Sequence, residues 1–311
     1  MKKPINIFFV GKGGVGKSTS AALNAVFLAQ KGFRVLIVSL DPAHNQSDIF
    51  QMNFSDKALK IATDISAIEV DQDQWIKVYL KDVRNQIKKT YSYLTAFNLE
   101  NYFKVIKHSP GLEEYALILA FKHIYQEFSC FDYLVFDMPP TALSLKFFSL
   151  PSLSLIWIEQ LVSLRQEIIK KKELVTKIKF GQKEFERDKV LNKINALKND
   201  FQALKDVFEN RGRTRVQLVL NPDKLSLAES ARIFLALKDI QINIHQLIYN
   251  KMQPDSPCAD IENTFVDIPM LNFPLSETPL IGYEKLRQFL KNNNDLIEKQ
   301  LDACYPVSIH K

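Results

Sequence analysis

Short apolar runs alternate with longer amphipathic stretches in the first and last thirds of the chain. Runs of this kind are typical of strands that a parallel sheet buries on both faces. They predict five strands, over residues 5–10, 34–40, 133–138, 215–221 and 245–250. The pattern therefore predicts an α/β fold with a doubly wound, mostly parallel sheet, in which ligand sites lie at the carboxyl ends of the strands.

Helical patterns fill the intervals between these strands. One helix is predicted over residues 17–31, where a basic last turn is followed by Gly32. A second is predicted over 226–237, because its opening letters SLAE match a capping box. Residues 74–128 are also helical in pattern and rich in aromatic side chains, with an internal break at Pro110-Gly111.

Residues 152–212 have a different pattern. Apolar side chains recur there at alternating spacings of three and four residues, as in a heptad seam, on two arms that meet near Phe180-Gly181. The spacing predicts a helical hairpin, an inserted helical subdomain between the first part of the α/β domain, 1–151, and its second part, 213–311. The hairpin is either a self-packed projection or a binding surface. The seam comprises Val190, Ile194, Leu197, Phe201, Leu204 and Phe208 on one arm and Trp157, Leu161, Leu164, Ile168, Val175 and Ile178 on the other.

Length and composition limit the class of protein. The chain has 311 residues, of which 46% are hydrophobic, and this is enough for a large core. Its longest apolar runs, such as residues 115–121, are far shorter than the roughly 18 residues of a membrane span, and no secretory signal is recognisable. We therefore expect no transmembrane segment and a cytoplasmic location.

Positive charge is concentrated in the predicted hairpin. Residues 165–215 contain 15 Lys/Arg and 8 Asp/Glu, a surplus that exceeds the net charge of +6 of the whole chain. A basic surface suits an acidic partner or an anionic membrane surface, so peripheral membrane contact is compatible with it, although a solvated lysine face explains it equally well. No nucleic-acid partner is expected.

The turn after the first predicted strand reads GKGGVGKST, residues 11–19. Its first six letters match the G-x-G-x-x-G turn of a dinucleotide fold, with Asp41 further along, but residues 11–18 also match the full P-loop pattern G-x-x-x-x-G-K-S. In a P-loop, backbone N–H groups surround the phosphates, Lys17 reaches the β- and γ-oxygens, and Ser18 gives a hydroxyl to Mg²⁺. A dinucleotide turn needs neither side chain, so the pattern favours a P-loop. The candidate phosphate-binding residues are Gly13, Gly14, Val15, Gly16, Lys17, Ser18 and Thr19.

Two aspartates follow predicted strands. Asp137 comes after the apolar run YLVF, in the position of a Walker B aspartate that holds the hydration shell of Mg²⁺. Asp41, in the sequence DPAH, is placed to orient or deprotonate a water molecule that attacks the γ-phosphate. A turn cap is the weaker alternative for Asp137 beside a P-loop, and for Asp41 that alternative stays open.

These residues resemble the deviant Walker A ATPases, a branch of P-loop proteins that includes ParA, MinD and the nitrogenase iron protein. The branch is marked by K-G-G-x-G-K-[ST], which residues 12–18 match. In that branch the first lysine reaches the nucleotide of the other subunit and offsets the negative charge that develops during phosphoryl transfer. The resemblance therefore implies a homodimer in which Lys12 acts in trans; the alternative is an exposed loop lysine.

Within this branch the chain resembles the arsenite-pump ATPases and the related ATPases that target tail-anchored membrane proteins. The resemblance implies that ATP and Mg²⁺ are the cofactors and that Asp41 activates water. It also implies that Asp223 and Asn250 contact the nucleoside, that Asn250 reads adenine, and that Pro274 and Leu275 lie near the base. A protein client at the hairpin is implied as well. The resemblance rests on SLDPAHNQSDIF, SPGLEEYAL, FDMPPTALSLKFFSLP, LVLNPDKLSLAES, IYNKM and FPLSETPLIGYEKLRQF, in this order along the chain.

Three features depart from the family pattern. Thr141-Ala142-Leu143 stands where the family has T-G-H, a switch loop that relays the nucleotide state, so the coupling of hydrolysis to motion is open. The tandem second P-loop of the arsenite-pump member is absent, so one chain must pair with another copy. The C-x-x-C that shares zinc between subunits is also absent near 253–260.

Other functions remain open from the sequence. The altered switch loop favours an ATP-binding scaffold or holdase that hydrolyses little, and a positioning ATPase similar to MinD and ParA is a further alternative. An iron–sulfur reductase is disfavoured, because a cluster that bridges a dimer needs about two suitable thiolates per chain near the switch loops. The cysteines, Cys130, Cys258 and Cys304, are single and match no disulfide or zinc pattern.

Overall fold

The computed structural model describes residues 3–90, 109, 111–180, 189–253, 259–293, 297, 300 and 301, and these form one eight-stranded sheet covered by helices. The strands are β1 (Ile5–Gly11), β2 (Val35–Ser39), β3 (Leu59–Ala62), β4 (Ile65–Glu69), β5 (Tyr133–Asp137), β6 (Thr214–Leu220), β7 (Ile244–Met252) and β8 (Met270–Pro274). Their order in the sheet is β3-β4-β2-β5-β1-β6-β7-β8, and every pair is parallel except β3 with β4. The five predicted strands and the mostly parallel sheet are confirmed.

Helices connect the strands. They are α1 (Lys17–Gln30), α2 (Asn45–Phe50), α3 (Gln72–Thr90), α4 (Leu112–Glu127), α5 (Thr141–Phe180), α6 (Lys189–Glu209), α7 (Lys224–Asp239), α8 (Ala259–Thr264) and α9 (Tyr283–Asn292). Helices α3 and α4 occupy the two ends of the segment 74–128, and Gly111, with φ +85°, is the N-cap of α4. Residues 91–108 and Pro110 lie outside the described residues.

Both faces of the sheet are buried, as the apolar runs predict. Ile7 and Phe9 of β1 belong to a core that includes α1 and α9, whereas Phe8 belongs to a second core on the opposite face, with α4, α5, α6 and α7. The rings of Phe147 on α5 and Phe208 on α6 lie 6.1 and 6.0 Å from the ring of Phe8. The base of the helical hairpin is therefore part of this second core.

The predicted start of the helix over 226–237 is wrong by two residues, and the N-cap of this helix is a different residue. Helix α7 begins at Lys224, and its N-cap is Asp223, whose carboxylate accepts a hydrogen bond from the Ser226 amide at 2.7 Å. The Ser226 hydroxyl accepts instead from the amide of Asn221 at 3.0 Å. A carboxylate at the N-cap competes well with a serine, which explains why the capping-box interpretation placed the start too late.

The first arm of the hairpin begins earlier than the insertion predicted at 152. Helix α5 starts at Thr141, directly after the turn that follows β5, and continues through Pro151 for 40 residues. Helix α6 forms the other arm and packs against it. One helix therefore joins the turn after β5 to the hairpin.

The predicted seam is correct for the end of α6 and wrong for α5. Phe201, Leu204 and Phe208 are buried as predicted, but on α5 the buried side chains are Leu155 and Ile158. The four predicted seam residues of α5 with a described side chain are 45–73% exposed: Trp157, Leu161, Leu164 and Ile168. The side chains of Val175 and Ile178, and Gly181, lie outside the described part of the chain.

One helix among the described residues is long and apolar enough to cross a membrane by length and composition, namely Thr141–Lys171 of α5, with a mean hydropathy of 1.4. The sequence analysis missed it because serines interrupt the apolar run. Its first half includes Phe147 and Phe148, which are 0% and 2% exposed and pack against the sheet. That half is a core helix of the α/β domain.

Candidate active site

Predicted site residues from six neighbouring strands lie along one edge of the sheet. The connections after β1 and β2 and the ends of β5 to β8 meet there, because the carboxyl ends of parallel strands share one edge. The phosphate loop after β1 lies between the two predicted catalytic and metal-binding aspartates on one side and the predicted nucleoside contacts on the other. In sheet order the residues are Asp41, Asp137, the loop 11–16, Asp223, Asn250 and Pro274.

The loop between β1 and α1 has a backbone that its glycines permit. Gly16 has φ +91° and forms the N-cap of α1, and a Cβ atom at Gly11 would lie 2.4 Å from the carbonyl oxygen of Val219. The first amide groups of α1 are therefore directed at the loop, as in anion-binding helix N-termini. The Lys17 ammonium donates a hydrogen bond to the Lys12 carbonyl at 3.2 Å, and Lys17 is 5% exposed. This geometry fits the phosphate-binding loop that the sequence predicts.

A buried polar cluster joins this loop to the end of β5. The Gln46 amide nitrogen donates to the Asp137 Oδ2 atom and to the Ser18 carbonyl, each at 3.0 Å, and the Ser18 side chain also hydrogen-bonds to Asp137. Gln46 and Asp137 are both 0% exposed. Gln46 therefore fixes the position of Asp137 relative to the start of α1.

Burial shifts the titration of both charged groups in this cluster. It raises the pKa of Asp137 to about 6, although the hydrogen bonds from Gln46 and Ser18 oppose the shift. It also lowers the pKa of Lys17, an effect that the nearby charges of Asp137, Asp41 and Glu229 oppose. A ligand that brings negative charge to Lys17 and positive charge to Asp137 therefore stabilises the charged forms of both side chains.

The oxygen atoms of the cluster fit Mg²⁺. Asp137 Oδ1 and Gln46 Oε1 are buried and have no hydrogen-bond partner among the described residues, and the Ser18 hydroxyl is adjacent. Mg²⁺ prefers hard oxygen ligands and is commonly held by one or two protein groups together with phosphate oxygens and water. The described ranges accordingly contain no group of three or more His, Cys, Asp or Glu residues that could form an all-protein metal cage.

The loop after β2 is fixed by hydrogen bonds of its own. Asp41, 8% exposed, accepts a hydrogen bond from the Ala43 amide at 3.0 Å, so it caps this turn. Further along, the buried Glu69 accepts from the Ser47 amide at 2.8 Å and from its hydroxyl at 2.6 Å, and His44 Nδ1 lies 3.6 Å from Glu69. The cap anticipated for Asp41 is therefore present, and it holds the carboxylate beside the phosphate loop, where its charge acts on Lys17.

On the other side of the loop, Asn250 connects β7 to the phosphate site. Its side-chain amide donates to the Val15 carbonyl at 2.8 Å, across 235 positions of sequence. Pro274 pairs with Met252 in the register of β8 on β7, and the Leu275 amide donates to the Met252 carbonyl at 2.9 Å. Asn250 and the 274–275 segment therefore lie together, as the predicted base-binding side requires, whereas Asp223 is exposed and caps α7.

Three site residues were missed by the sequence analysis: Gln46, Glu69 and Glu229. Glu229 accepts a hydrogen bond from the Thr141 hydroxyl at 2.7 Å. Gln46 and Glu229 act on other side chains of the site and Glu69 holds the segment after β2, so no motif of its own marks any of them. The position of Gln46 inside the matched block SLDPAHNQSDIF was an available signal.

Among the described residues, the cysteine considered for an iron–sulfur cluster is not near the switch loops. Cys130 is exposed and precedes β5, at the end of that strand opposite Asp137. It lines a cleft together with Arg34 and Lys60. Cys258 and Cys304 lie outside the described residues.

Comparison with known proteins identifies the family of nearly the whole chain. Residues 5–294 match the family model of the anion-transporting ATPases, the ArsA ATPase family. The chain is 30% identical to the putative arsenical pump-driving ATPase 2 of Aquifex aeolicus over 301 residues, which cover 91% of the chain and 97% of that protein.

Two eukaryotic relatives are similar as well. The ATPase GET3C of Arabidopsis thaliana is 30% identical, over 79% of the chain and 66% of that protein. The ATPase ASNA1 homolog 1 of Paramecium tetraurelia is 27% identical, over 91% of the chain and 90% of that protein. The family model covers nearly the whole chain, including the loop 11–16, strand β5 and the hairpin, so this chain belongs to the ArsA family of ATPases.

Proposed function

We propose that this ATPase is Mg²⁺-dependent and acts in the cytoplasm as a homodimeric switch that closes on bound ATP. The observation that carries the proposal is the buried pair of Lys17 and Asp137, with the half-buried Ser18 between them in the same cluster, beside the phosphate loop. Taking a cation and a carboxylate out of water is unfavourable. Phosphate oxygens and Mg²⁺ supply the charges that offset this cost.

The residues then have distinct roles. The loop amides of Gly13 to Gly16 and the side chain of Lys17 hold the phosphates, with Thr19 at the start of α1 beside them. Ser18 and Asp137 would hold Mg²⁺, which supplies neutralisation of phosphate charge when bound. Asp41 orients the attacking water.

The side chain of Lys12 supports the dimer. Lys12 is partly exposed, and its ammonium has no hydrogen-bond or ion-pair partner within the part of the chain that the structure describes. A cation at the rim of a phosphate loop is placed to meet the nucleotide of a second copy, where it stabilises charge that develops in the transition state.

Turnover and assembly of two lysine variants test this proposal. Lys17→Ala should lose ATP binding, because the phosphates lose their buried cation. Lys12→Ala should keep ATP binding but lose turnover by about 100-fold or more, as when a transition-state donor is removed. Hydrolysis and mass by light scattering are measured with ATP and either Mg²⁺ or EDTA, with the exposed Lys238→Ala as control. Normal hydrolysis by monomeric Lys12→Ala would contradict the dimer mechanism.

We further propose that the hairpin binds an apolar helix of a protein client. Helix α5 presents an apolar stripe of six large side chains along one face, with two adjacent members and the others three or four residues apart. An exposed patch of this kind is typical of an interaction surface. The apolar stripe comprises Leu153, Ile156, Trp157, Leu161, Leu164 and Ile168, which are 45–73% exposed.

A synthetic apolar helix of about 20 residues, fused to a soluble carrier, tests the client site. Anisotropy should show binding to the wild type and loss of binding in Leu161→Ser/Leu164→Ser, because the apolar stripe is interrupted. The neighbouring Gln166→Ser/Lys170→Ser is the control, since it leaves the stripe intact. Equal binding by both variants would contradict this part of the proposal.

A scaffold that binds ATP but hydrolyses it little is a second candidate function, favoured by the turn after β5. Leu143 packs against the core, and the Ser144 hydroxyl donates to the Pro139 carbonyl at 2.5 Å, so this turn is tightly held. Undetectable turnover together with retained, Mg²⁺-dependent ATP binding would decide for this function.

A further inference from the structure

A single side-chain hydrogen bond joins the start of the hairpin helix to a carboxylate near the phosphate loop. The Thr141 hydroxyl donates to Glu229 Oε1 at 2.7 Å, between the first residue of α5 and the second turn of α7. The bond is partly buried. Glu229 is close enough to Lys17 for its charge to act on that ammonium, together with Asp41 and Asp137.

The chain between Asp137 and Thr141 is short and stiff. It contains Pro139 and Pro140, whose rings fix φ. The amides of Leu143 and Ser144 donate to the Pro140 carbonyl at 3.1 and 3.3 Å, which fastens the first turn of α5 to these prolines. The Thr141–Glu229 bond is therefore a tie between a rigid connection from the Walker B strand and the neighbouring helix α7.

The charge of Glu229 relates the Thr141–Glu229 hydrogen bond to the nucleotide site. The negative charges of Asp137, Asp41 and Glu229 act on the Lys17 ammonium and oppose the effect of its burial on its pKa. When phosphate oxygens take over Lys17, the carboxylate of Glu229 faces additional negative charge instead of a cation. Like charges repel, and partial burial limits the screening by water.

We propose that Glu229 is a latch that holds the hairpin helix through Thr141 and releases it when ATP occupies the phosphate loop. The inference rests on the proposed function, since it requires ATP at this loop, and it specifies how the nucleotide state reaches the hairpin although residues 141–143 lack the family switch sequence. Glu229 is a positioning residue in this scheme, because it acts through Thr141 on α5.

The chain contains a suitable reporter. Its two tryptophans are Trp75 and Trp157, and Trp157 is 73% exposed, about four helical turns from Thr141 along α5. In a Trp75→Phe background, acrylamide quenching of Trp157 fluorescence is measured without nucleotide and with ATP and Mg²⁺, while ATP binding is measured separately by calorimetry. ATP should change the quenching constant of this background protein.

Two substitutions should have opposite effects on α5: Thr141→Val should release it without ATP, and Glu229→Gln should keep it held when ATP binds. Thr141→Val cannot donate the hydrogen bond, so its quenching without nucleotide should already equal the ATP value, and Thr141→Ser should restore the response. Glu229→Gln keeps an acceptor oxygen but has no charge, so its quenching should stay at the nucleotide-free value when ATP binds. The surface substitution Asp239→Asn, on the same helix, should respond as the background protein does.

The outcomes separate the inference from the proposed function. A normal response in Glu229→Gln, or no response in the background protein although it binds ATP, would overturn the latch and leave the ATPase proposal intact. Failure of the background protein to bind ATP would overturn both. Because Glu229→Gln is nearly isosteric, the test does not depend on whether Thr141→Val folds.

Discussion

Asp137 is a carboxyl group that burial destabilises in its charged form. Its folded pKa of about 6 lies above the ordinary aspartate value of 3.8, so the folded state retains this proton to higher pH than the unfolded state does. The associated stability is present below the unfolded pKa and is lost as the pH rises through about 6. At about 1.4 kcal/mol per pKa unit, the charged carboxylate costs about 2 to 3 kcal/mol at pH 7.5 in the nucleotide-free protein.

Replacing this carboxylate should therefore stabilise the empty protein. Asp137→Asn is expected to raise the free energy of unfolding at pH 7.5 by about 2 kcal/mol and to change it much less at pH 4.5, because the wild-type group is protonated there. Urea unfolding in EDTA at the two pH values measures this, with the exposed Asp239→Asn as control. A uniform effect of Asp137→Asn at both pH values would contradict the assignment.

Gly16 and Gly14 both have positive φ, of +91° and +80°, but their surroundings differ. A Cβ atom at Gly16 would lie 2.3 Å from the side-chain amide of Asn250, whereas no atom lies within 4 Å of one at Gly14. Both alanine substitutions should cost about 1 to 3 kcal/mol of backbone strain. Gly16→Ala should additionally displace Asn250 from the Val15 carbonyl.

A double-mutant cycle isolates the second effect. Asn250→Ala should offset part of the cost of Gly16→Ala, with a coupling free energy of about 1 kcal/mol, because the clash and the hydrogen bond are already gone. The same cycle with Gly14→Ala should be additive. The measurement is urea unfolding without nucleotide, and equal coupling at both glycines would show that Asn250 does not pack on Gly16.

Single residues with a chemical signature could be predicted from the sequence, whereas residues that act on other residues could not. The spacing of Gly11, Lys17 and Ser18 specifies a P-loop because the phosphate requires those groups. Gln46 and Glu229 reach the site from distant parts of the chain, 91 residues from Asp137 and 88 from Thr141. Spacing along the sequence carries no information about such pairs.

At the scale of elements, α5 shows why the hairpin was predicted but its packing was not. Apolar residues occupy both faces of this helix, so a heptad pattern can be traced through either set. Attachment to the α/β core selects Leu155 and Ile158, which lie with Phe147 and Phe148 in one cluster. The alternative set is left outside as the apolar stripe.

Neighbouring substitutions on α5 test this assignment. Ile158→Ala should lower the free energy of unfolding by about 2 to 4 kcal/mol, because Ile158 is 3% exposed and its removal leaves a cavity. Trp157→Ala should change it by no more than about 0.5 kcal/mol, because Trp157 is 73% exposed. Thermal or urea unfolding of the nucleotide-free protein measures both, and the predicted heptad seam would be correct after all if the order were reversed.

At the scale of the whole molecule, the class of fold could be predicted from the apolar runs, but the two edge strands β3 and β8 and the interior strand β4 could not. The five predicted strands are flanked on both sides and buried, so their sequences are continuously apolar. Strands β3 and β8 lie at the edges, where burial is partial, and β3 is exposed or half-exposed throughout. The strand order that unites Asp41, Asp137 and Asn250 depends on tertiary packing, which the local pattern does not encode.

A dimer in which each site needs a lysine from both copies has a measurable consequence for mixtures of inactive variants. Lys12→Ala keeps Lys17 in its own loop, and Lys17→Ala keeps the Lys12 that would act on the other copy. A mixed dimer therefore contains one complete site. Random exchange at equal concentrations should restore about a quarter of the wild-type turnover, since half of the dimers are mixed and each has one working site.

The control for this prediction is the double variant Lys12→Ala/Lys17→Ala, which should restore nothing when it is mixed with either single variant. ATP turnover is measured after incubation with nucleotide, so that subunits exchange before the assay. If Lys12 acted within its own chain, the mixture would contain no complete site and would stay inactive. Restored turnover in the first mixture and its absence in the controls together locate Lys12 opposite the phosphate loop of the second copy.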